Sequence, residues 1–299
     1  MSVFTRKLFS LGMKTHLSDF LSDEAFTRLL YYCYMGKRLN LDNPQDFNEK
    51  VQWLKLYHRT SLYVQCADKY AVRQYVKEKI GCQYLNKCID VYEKVEDIDF
   101  LSLPDSFVLK ATHGSGWNIV CPDKSKLNWH DACGKMRKWL KNDFSRIGRE
   151  WQYREIPPRI VCEAFMEEPD GAPLKDYKLF TFNGETKYIA VEFDKPDGRH
   201  YINFYDANWD YQKDKHLAEP CDETAIVRPE CLEEMKSLAG KLSADFPMCR
   251  VDFYALGGKK IVFGELTFTP GKGCNRFWPD SFALEMGQYI KLPQRGVVC

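Results

Sequence analysis

Apolar residues recur along this chain with two periods. Up to residue 66 the spacing is helical: Phe26, Leu29, Leu30 and Cys33 share one face, and Phe47, Val51 and Leu54 repeat the pattern. Asn43-Pro44 separates the two segments. Asp46, with Glu49 three residues on, predicts a capping box at the start of the second helix. Residues 68–79 predict a third helix that Gly81 ends. The period then shortens to two. Residues 107–110 and 117–121 predict strands around a glycine-bearing turn, residues 126–147 a basic helix, and Ile156-Pro157-Pro158 a joint. Residues 160–166, 177–182, 187–193 and 201–205 predict strands, with turns at Asn183-Gly184 and Asp197-Gly198, and residues 230–242 a helix. Val251, Phe253 and Ala255, a Gly257-Gly258 turn, and Ile261, Val262 and Phe263 predict a β-hairpin before a short C-terminal helix. Helices mixed with antiparallel strands predict an α+β fold of two lobes, with boundaries at 1–66, 67–159 and 160–299.

Composition narrows the class. The 299 residues are 44% hydrophobic, enough for a substantial core, and the net charge of +1 gives no pull toward nucleic acid. The twelve cysteines include no Cys-x-x-Cys and the six histidines no HExxH, so the expectation is reduced, buried thiols without structural zinc. No apolar run reaches the roughly 20 residues of a membrane span, and no signal peptide is read at the start, so the expected location is the cytoplasm. The N-terminal stretch SVFTRKLFSLGMKTHL is amphipathic and mildly basic. It reads as a helix packed on the domain, with weak contact to a membrane surface as the alternative.

Candidate chemistry concentrates in a few segments. In the hairpin, Asp252 sits near the start of one strand and Glu265 near the end of the other, so antiparallel pairing brings the two carboxylates together. Such a pair is either a solvated structural element or a site for a hard cation such as Mg²⁺. Arg250, two residues before Asp252, faces the same way and suits a transferring phosphoryl group. Lys110 ends a strand before His113-Gly114-Ser115-Gly116, a lysine and an amide-rich loop able to grip phosphate, although most Gly-x-Gly turns are only turns. The P-loop pattern is absent. Asp68 reads as a helix cap followed by Lys69, a cation poorly placed against the helix dipole unless an anion lies beside it. Glu163 lies on an apolar strand that reads as a core edge or as a hinge strand. Asp176 and Lys178 share a face.

The order of these segments resembles the ATP-grasp superfamily, and more narrowly the TupA-like ATP-grasp family linked with teichuronopeptide and other surface-polysaccharide biosynthesis. The resemblance rests on NPQDFNEKVQWLKLY (43–57), DKYAVR (68–73) and GELTFTPG (264–271), and covers residues 20 to 292. It implies an N-terminal helical extension and two α+β lobes clasping ATP: a small lobe with the phosphate loop and a C-terminal lobe with the metal site. It implies that Lys69 and Lys110 contact phosphates under the His113–Gly116 loop, and that Glu163 with the backbone of Ala164, Phe165 and Met166 holds adenine. Asp176 would lie toward the ribose and Lys178 toward the phosphates. Arg250 would stabilise an acylphosphate, and Asp252, Glu265 and Thr267 would hold Mg²⁺. Thr267 stands where many ATP-grasp enzymes have Asn, which leaves the number of ions open. Arg199, with His200 and Asn203, is the candidate for the acceptor. The implied reaction is ATP-dependent amide formation between an amino acid or other amine and a uronic acid or glutamyl carboxylate, with ATP, an acceptor and an amine as partners and glycan-assembly enzymes or a membrane surface nearby.

Two other readings compete. Asp97-Ile98-Asp99 is a DxD, the pattern by which glycosyltransferases hold a metal and a sugar nucleotide. A non-catalytic ATP-grasp-like binding protein is the second, which the intact Lys69, Lys110, Arg250, Asp252 and Glu265 set opposes.

Overall fold

The structure is a computed structural model describing residue 13 and residues 17–195, 197–217 and 221–294. Most of the N-terminal amphipathic stretch lies outside the described residues.

Helix α1 (Asp23–Met35) buries Phe26, Thr27, Leu30, Tyr31 and Cys33. That arc is centred on Leu30, so Leu29, predicted on the buried face, sits off its edge and is exposed. Helix α2 (Phe47–Tyr57) begins with the predicted capping box: Asp46 accepts from Glu49 N–H, and Glu49 reaches back to the Asp46 backbone. Helices α3 (Ser61–Ala67) and α4 (Val72–Lys79) follow. The predicted third helix starts four residues late, because Asp68 caps a turn by accepting from Tyr70 and Ala71 N–H at 2.8 and 3.2 Å.

Strands β1 (Cys88–Tyr92), β2 (Phe107–Ala111), β3 (Asn118–Cys121) and β4 (Ile160–Ala164) form an antiparallel sheet in the order β1-β4-β2-β3. The short alternation of Ile89 and Val91 in β1 was not predicted as a strand. The predicted 126–147 helix resolves into α5 (Trp129–Lys141), capped by Asn128, and the single turn α6 (Ser145–Gly148). One face of this sheet packs Phe107, Leu109, Ile160 and Cys162 against Ala132, Cys133 and Met136 of α5.

Strands β5 (Asp176–Phe182), β6 (Glu185–Asp194), β7 (His200–Asp206), β8 (Met248–Leu256) and β9 (Lys260–Thr267) form the larger antiparallel sheet, ordered β7-β6-β5-β8-β9. Asn183 and Gly184, both at positive φ, close the β5–β6 turn as predicted. Helix α7 (Leu232–Ser243) covers one face through Leu232, Met235, Ala239 and Leu242, against Leu179, Ile189, Val191, Val251 and Phe253. The opposite face is split along its length. At one end Phe180, Phe182, Tyr188, Phe204 and Met248 pack under α2 and α8 (Asp280–Tyr289). At the other end that face is polar, and most of the candidate site residues of this sheet collect there. Among the described residues no helix is long and apolar enough to cross a membrane, and every cysteine is free.

Candidate functional site

Strand register builds the site. Residues opposite one another across a sheet share a face. Three rows therefore run side by side: Glu192–Asp176–Tyr254, Ala190–Lys178–Asp252–Glu265, and Tyr188–Phe180–Arg250–Thr267. The third row joins the polar end to the apolar one.

A bulge decides where the second carboxylate points. Asp252 pairs with Glu265, yet the next residue, Phe253, pairs with Phe263, so Gly264 is an extra residue in β9. In an uninterrupted ladder Gly264 would oppose Asp252, and Glu265 and Thr267 would turn toward α7. The extra residue returns both to the polar face. A Cβ on Gly264 would lie 3.0 Å from the Asp252 carbonyl oxygen, which is why a residue without one fits there.

Three cations interleave with four carboxylates. Arg250 donates from Nε and Nη2 to the two oxygens of Asp252 at 2.7 and 2.6 Å, and Nη2 lies 3.1 Å from Thr267 Oγ1 and 3.4 Å from Glu265. The Thr267 hydroxyl donates to Glu265 at 2.9 Å, and Lys69 Nζ meets the other Glu265 oxygen at 3.0 Å. Lys178 contacts Asp176, Glu192 at 3.0 Å and Asp252 at 3.4 Å. Burial disfavours the charge of Glu265, but 35% of its side chain stays exposed, and Lys69, Arg250 and Lys178 hold it far below the usual carboxylate range. Burial, then the charge of Asp252, push the Asp176 carboxyl upward against the pull of Lys178, and Asp176 Oδ1 is buried without a partner. Burial is the largest influence on Lys178 and on Arg250 and opposes their charges, and Asp252 together with the other carboxylates around each reverses it.

The smaller sheet supplies the other wall. Lys110, one residue before the end of β2, meets Glu163 at 2.6 Å, while Arg73 lies 3.4 Å from the second Glu163 oxygen and donates to the Asn86 carbonyl. Lys69 links the two sheets: its N–H donates to the Thr112 carbonyl beyond Lys110 at 3.2 Å, and its ammonium reaches Glu265. Arg159 pairs with Asp68 at 2.6 Å and fixes the turn that carries Lys69. Asp252, Glu265 and Thr267 offer hard oxygens. Among the described residues no cluster of three or more His, Cys, Asp or Glu is placed to hold a metal alone. A pair of carboxylates fits an ion that takes its remaining oxygens from a nucleotide, as Mg²⁺ does.

Several predicted residues sit differently. His113 is buried, with Nε2 2.9 Å from the Trp139 carbonyl, so it anchors the loop to α5, and burial pushes its pKa down. Gly114 lies under Trp117, and only Ser115 and Gly116, with Gly116 at positive φ, form the exposed tip. The predicted strand through Met166 ends at Ala164, whose N–H donates to the Lys87 carbonyl and whose carbonyl accepts from Asn86 Nδ2. Phe165 and Met166, half-buried, lead out of the sheet. Glu163 is occupied by Lys110 and Arg73. Arg199 is exposed and pairs with Asp197 on its own turn, at 2.6 Å, away from the charged rows. Asn203 lies opposite Val191 on the α7 face, fully buried, donating to the Thr224 carbonyl and accepting from Asp222 N–H. Alternation explains the correction: His200 and Asn203 are three apart in one strand and face opposite ways. Only His200 joins the polar end, through Glu192 at 3.2 Å. In the DxD, Ile98 is buried and Asp99 accepts from Leu101 N–H.

Glu192, Arg159 and Glu168 carried no expectation from the sequence, and Arg73 stood only as the end of the DKYAVR motif, with no role assigned. Glu192 was within reach, since Tyr188, Ala190 and Glu192 alternate on β6. Glu168, which accepts from Gly257 N–H at 2.8 Å and ties the segment between the sheets to the β8–β9 turn, carries no local signal.

The sequence model of the TupA-like ATPgrasp family matches residues 49–291, and the chain belongs to that family. Its two sheets are the two lobes of an ATP-grasp fold. No curated protein matches it in sequence. Similar solved structures include D-alanine–D-alanine ligase from Helicobacter pylori, at 16% identity and TM-score 0.45 over 84% of this chain and 69% of that one. L-amino acid ligase from Bacillus licheniformis aligns at 13% identity and TM-score 0.46, over 85% of this chain and 57% of that one. The ATP-grasp ligase PsnB, complexed with minimal precursor, Mg and ADP, aligns at 13% identity and TM-score 0.38, over 74% and 57%. The chain spans just over half the length of the last two.

Proposed function

We propose that this protein is an ATP-dependent carboxylate–amine ligase that joins an amino acid or other amine to a uronic acid or glutamyl carboxylate in surface-polysaccharide synthesis. The observation that carries the reading is Lys69, fixed by its backbone to the phosphate-loop strand and by its ammonium to Glu265, so that one residue spans both walls of a charged gap.

In this reading Lys69, Lys110 and the Ser115–Gly116 tip bind the nucleotide phosphates, with His113 and Gly114 holding the tip in place. Asp176 lies toward the ribose and Lys178 toward the phosphates. Glu163 and the segment Ala164–Met166 border adenine; since Ala164 is already paired, Phe165 and Met166 offer the free backbone. Asp252, Glu265 and the Thr267 hydroxyl would hold Mg²⁺, which would neutralise charge on the phosphate oxygens. The acceptor carboxylate attacks the γ-phosphorus, the bond to the bridging oxygen breaks, and ADP leaves. The amine then attacks the acyl carbon of the acylphosphate, the C–O bond breaks, phosphate departs, and the amine loses a proton. Arg250 lies on the face where both departing groups gain charge. No side chain acts as nucleophile; position and charge do the work. His200, through Glu192, is the acceptor-side candidate that adjoins the polar rows.

The test is a screen for ADP release with carboxylate acceptors crossed with amines, read alongside mass spectrometry for the amide. ADP and amide appearing only when both partners are present supports the reading. ADP release with a phosphorylated product and no amide from any pair assigns a kinase instead, and binding of a UDP-sugar without ATP binding assigns a glycosyltransferase.

A further inference from the structure

A cleft of about 910 Å³ lies outside the charged gap. It opens between the end of α1, the cap of α2, the segment near His216 and the chain that enters α8, and no side-chain hydrogen bond or ion pair joins its lining residues to Lys69, Lys178, Arg250 or Glu265. Its volume falls in the upper part of the range of small-molecule sites, roughly 300–1,000 Å³. Trp278 lies at this cleft with 61% of its surface exposed. Its backbone is fixed: the main-chain N–H and carbonyl form a reciprocal pair with those of His216, at 2.7 and 2.9 Å. An exposed indole carried beside a cleft on backbone held in this way is a platform on which a ring can stack.

The polar lining selects the occupant. Lys37 and Arg276 bring two positive charges, Asp46 and Asp280 two negative ones, so the cleft favours neither an anion nor a cation. Lys37 is held by Asp46 at 2.6 Å, and Arg276 is oriented by donating Nε and Nη2 to the Tyr34 carbonyl at 3.2 and 2.7 Å. That leaves fixed donors near an exposed carboxylate. A ligand that donates and accepts around its edge, and offers one apolar C–H face to an indole, satisfies all of these groups together. A saccharide ring has that form.

We propose that this cleft is a glycan-binding site. A sugar ring stacks on Trp278, and its hydroxyls donate to Asp280 and accept from Arg276. The site deepens, and rests on, the reading of the acceptor as a surface glycan. The chain leaving β9 at Thr267 continues through Asn275 and Arg276 to Trp278, so one segment serves both places. The cleft holds sugars away from the reacting carboxylate, and binding energy from a remote part of the substrate contributes to positioning at the centre.

The test uses the full chain, fluorescently labelled, on an array of microbial surface glycans, with ATP binding measured separately by calorimetry. The expected result is saturable binding to a subset of glycans that falls at least tenfold in Trp278→Ala and in Asp280→Ala, while both variants bind ATP as the parent does. Binding to no glycan overturns the site, as does glycan binding unchanged in both variants. Glycan binding lost in the variants from a protein that binds no ATP leaves the cleft standing and removes the ligase reading. ATP binding and ADP release without glycan binding do the reverse. If Trp278→Ala unfolds, Trp278→Phe, which keeps a smaller ring, is expected to bind between the parent and Asp280→Ala, and equality with the parent counts against the site.

Discussion

The two ends of one sheet face share the same strands and differ in what covers them. At the apolar end, Phe180, Phe182, Tyr188 and Phe204 meet Phe47 and Phe282 in edge-to-face contacts, with ring centroids such as Phe47–Phe277 at 5.2 Å and Tyr188–Phe282 at 4.9 Å. At the polar end, two residues further along β5, Lys178 and Asp176 replace Phe180, and the charges of β8 and β9 have each other for partners. The apolar end is held by burial, which is indifferent to ligands. The polar end is held by ion pairs whose desolvation offsets much of their attraction, so it contributes little to stability and keeps groups that a nucleotide and a cation could recruit. One end fixes the sheet and the other is kept available.

Breaking the apolar end should cost most. Phe204→Ala removes a fully buried ring and is expected to lower stability by about 3–5 kcal/mol, measured by urea unfolding, with ATP affinity of the folded fraction unchanged. A loss below about 1 kcal/mol would show that α2 and α8 are not the lid described here. Glu265→Gln should have the converse profile: ADP release falling by about 10²–10³-fold, with the melting temperature nearly that of the parent. Unchanged turnover would place the metal elsewhere.

The bulge offers a sharper cut. Gly264→Val puts a branched side chain against the Asp252 carbonyl and is expected to cost about 1–3 kcal/mol and to weaken Mg²⁺-dependent ATP binding at least tenfold. If ATP binding survives, Glu265 does not need the flipped face. Asp46→Ala, at the α2 cap that orients the apolar lid, should cost about 1 kcal/mol in thermal unfolding without touching ATP affinity.

A last effect is one of pH. Burial pushes Lys55, whose ammonium donates to the Gly148 carbonyl at 2.7 Å, down to about 8 against the opposing charge of Glu150. The unfolded chain keeps that proton to its ordinary lysine value, so between those two pKa values it binds more protons than the folded one, and stability rises with pH there. Relative to Lys55→Met, the parent should gain about 2 kcal/mol between pH 8 and pH 10. A flat difference curve would mean that Lys55 is not desolvated as described.

Local signals and long-range ones separated clearly. The capping box at Asp46 and Glu49 and the Asn183-Gly184 turn were legible because a few neighbouring residues fix them. The pairing of Asp252 with Glu265 was legible in outline, since any hairpin about Gly257-Gly258 brings them close. The face on which Glu265 lies was not, because alternation without the Gly264 bulge turns it toward α7. Asn203 fails for a related reason: a polar residue in a strand reads as available, yet its face and the 222–224 segment that satisfies it are set by β6 and a distant loop. His113 was lost to α5 in the same way.

The sequence by itself determined the helices and most strands, the turn positions, the family and the set of charged residues, since period, capping and motif order are properties of short segments. The tertiary structure alone decided which of those charges meet. Lys69 reaches Glu265 across 196 residues, Arg73 and Lys110 converge on Glu163, and Lys178 and His200 both meet Glu192 while Arg199 turns away. Coulomb and hydrogen-bond energies depend on distances of a few ångströms, and those distances come from register, from one bulge and from the packing of two sheets, none of which any single segment encodes.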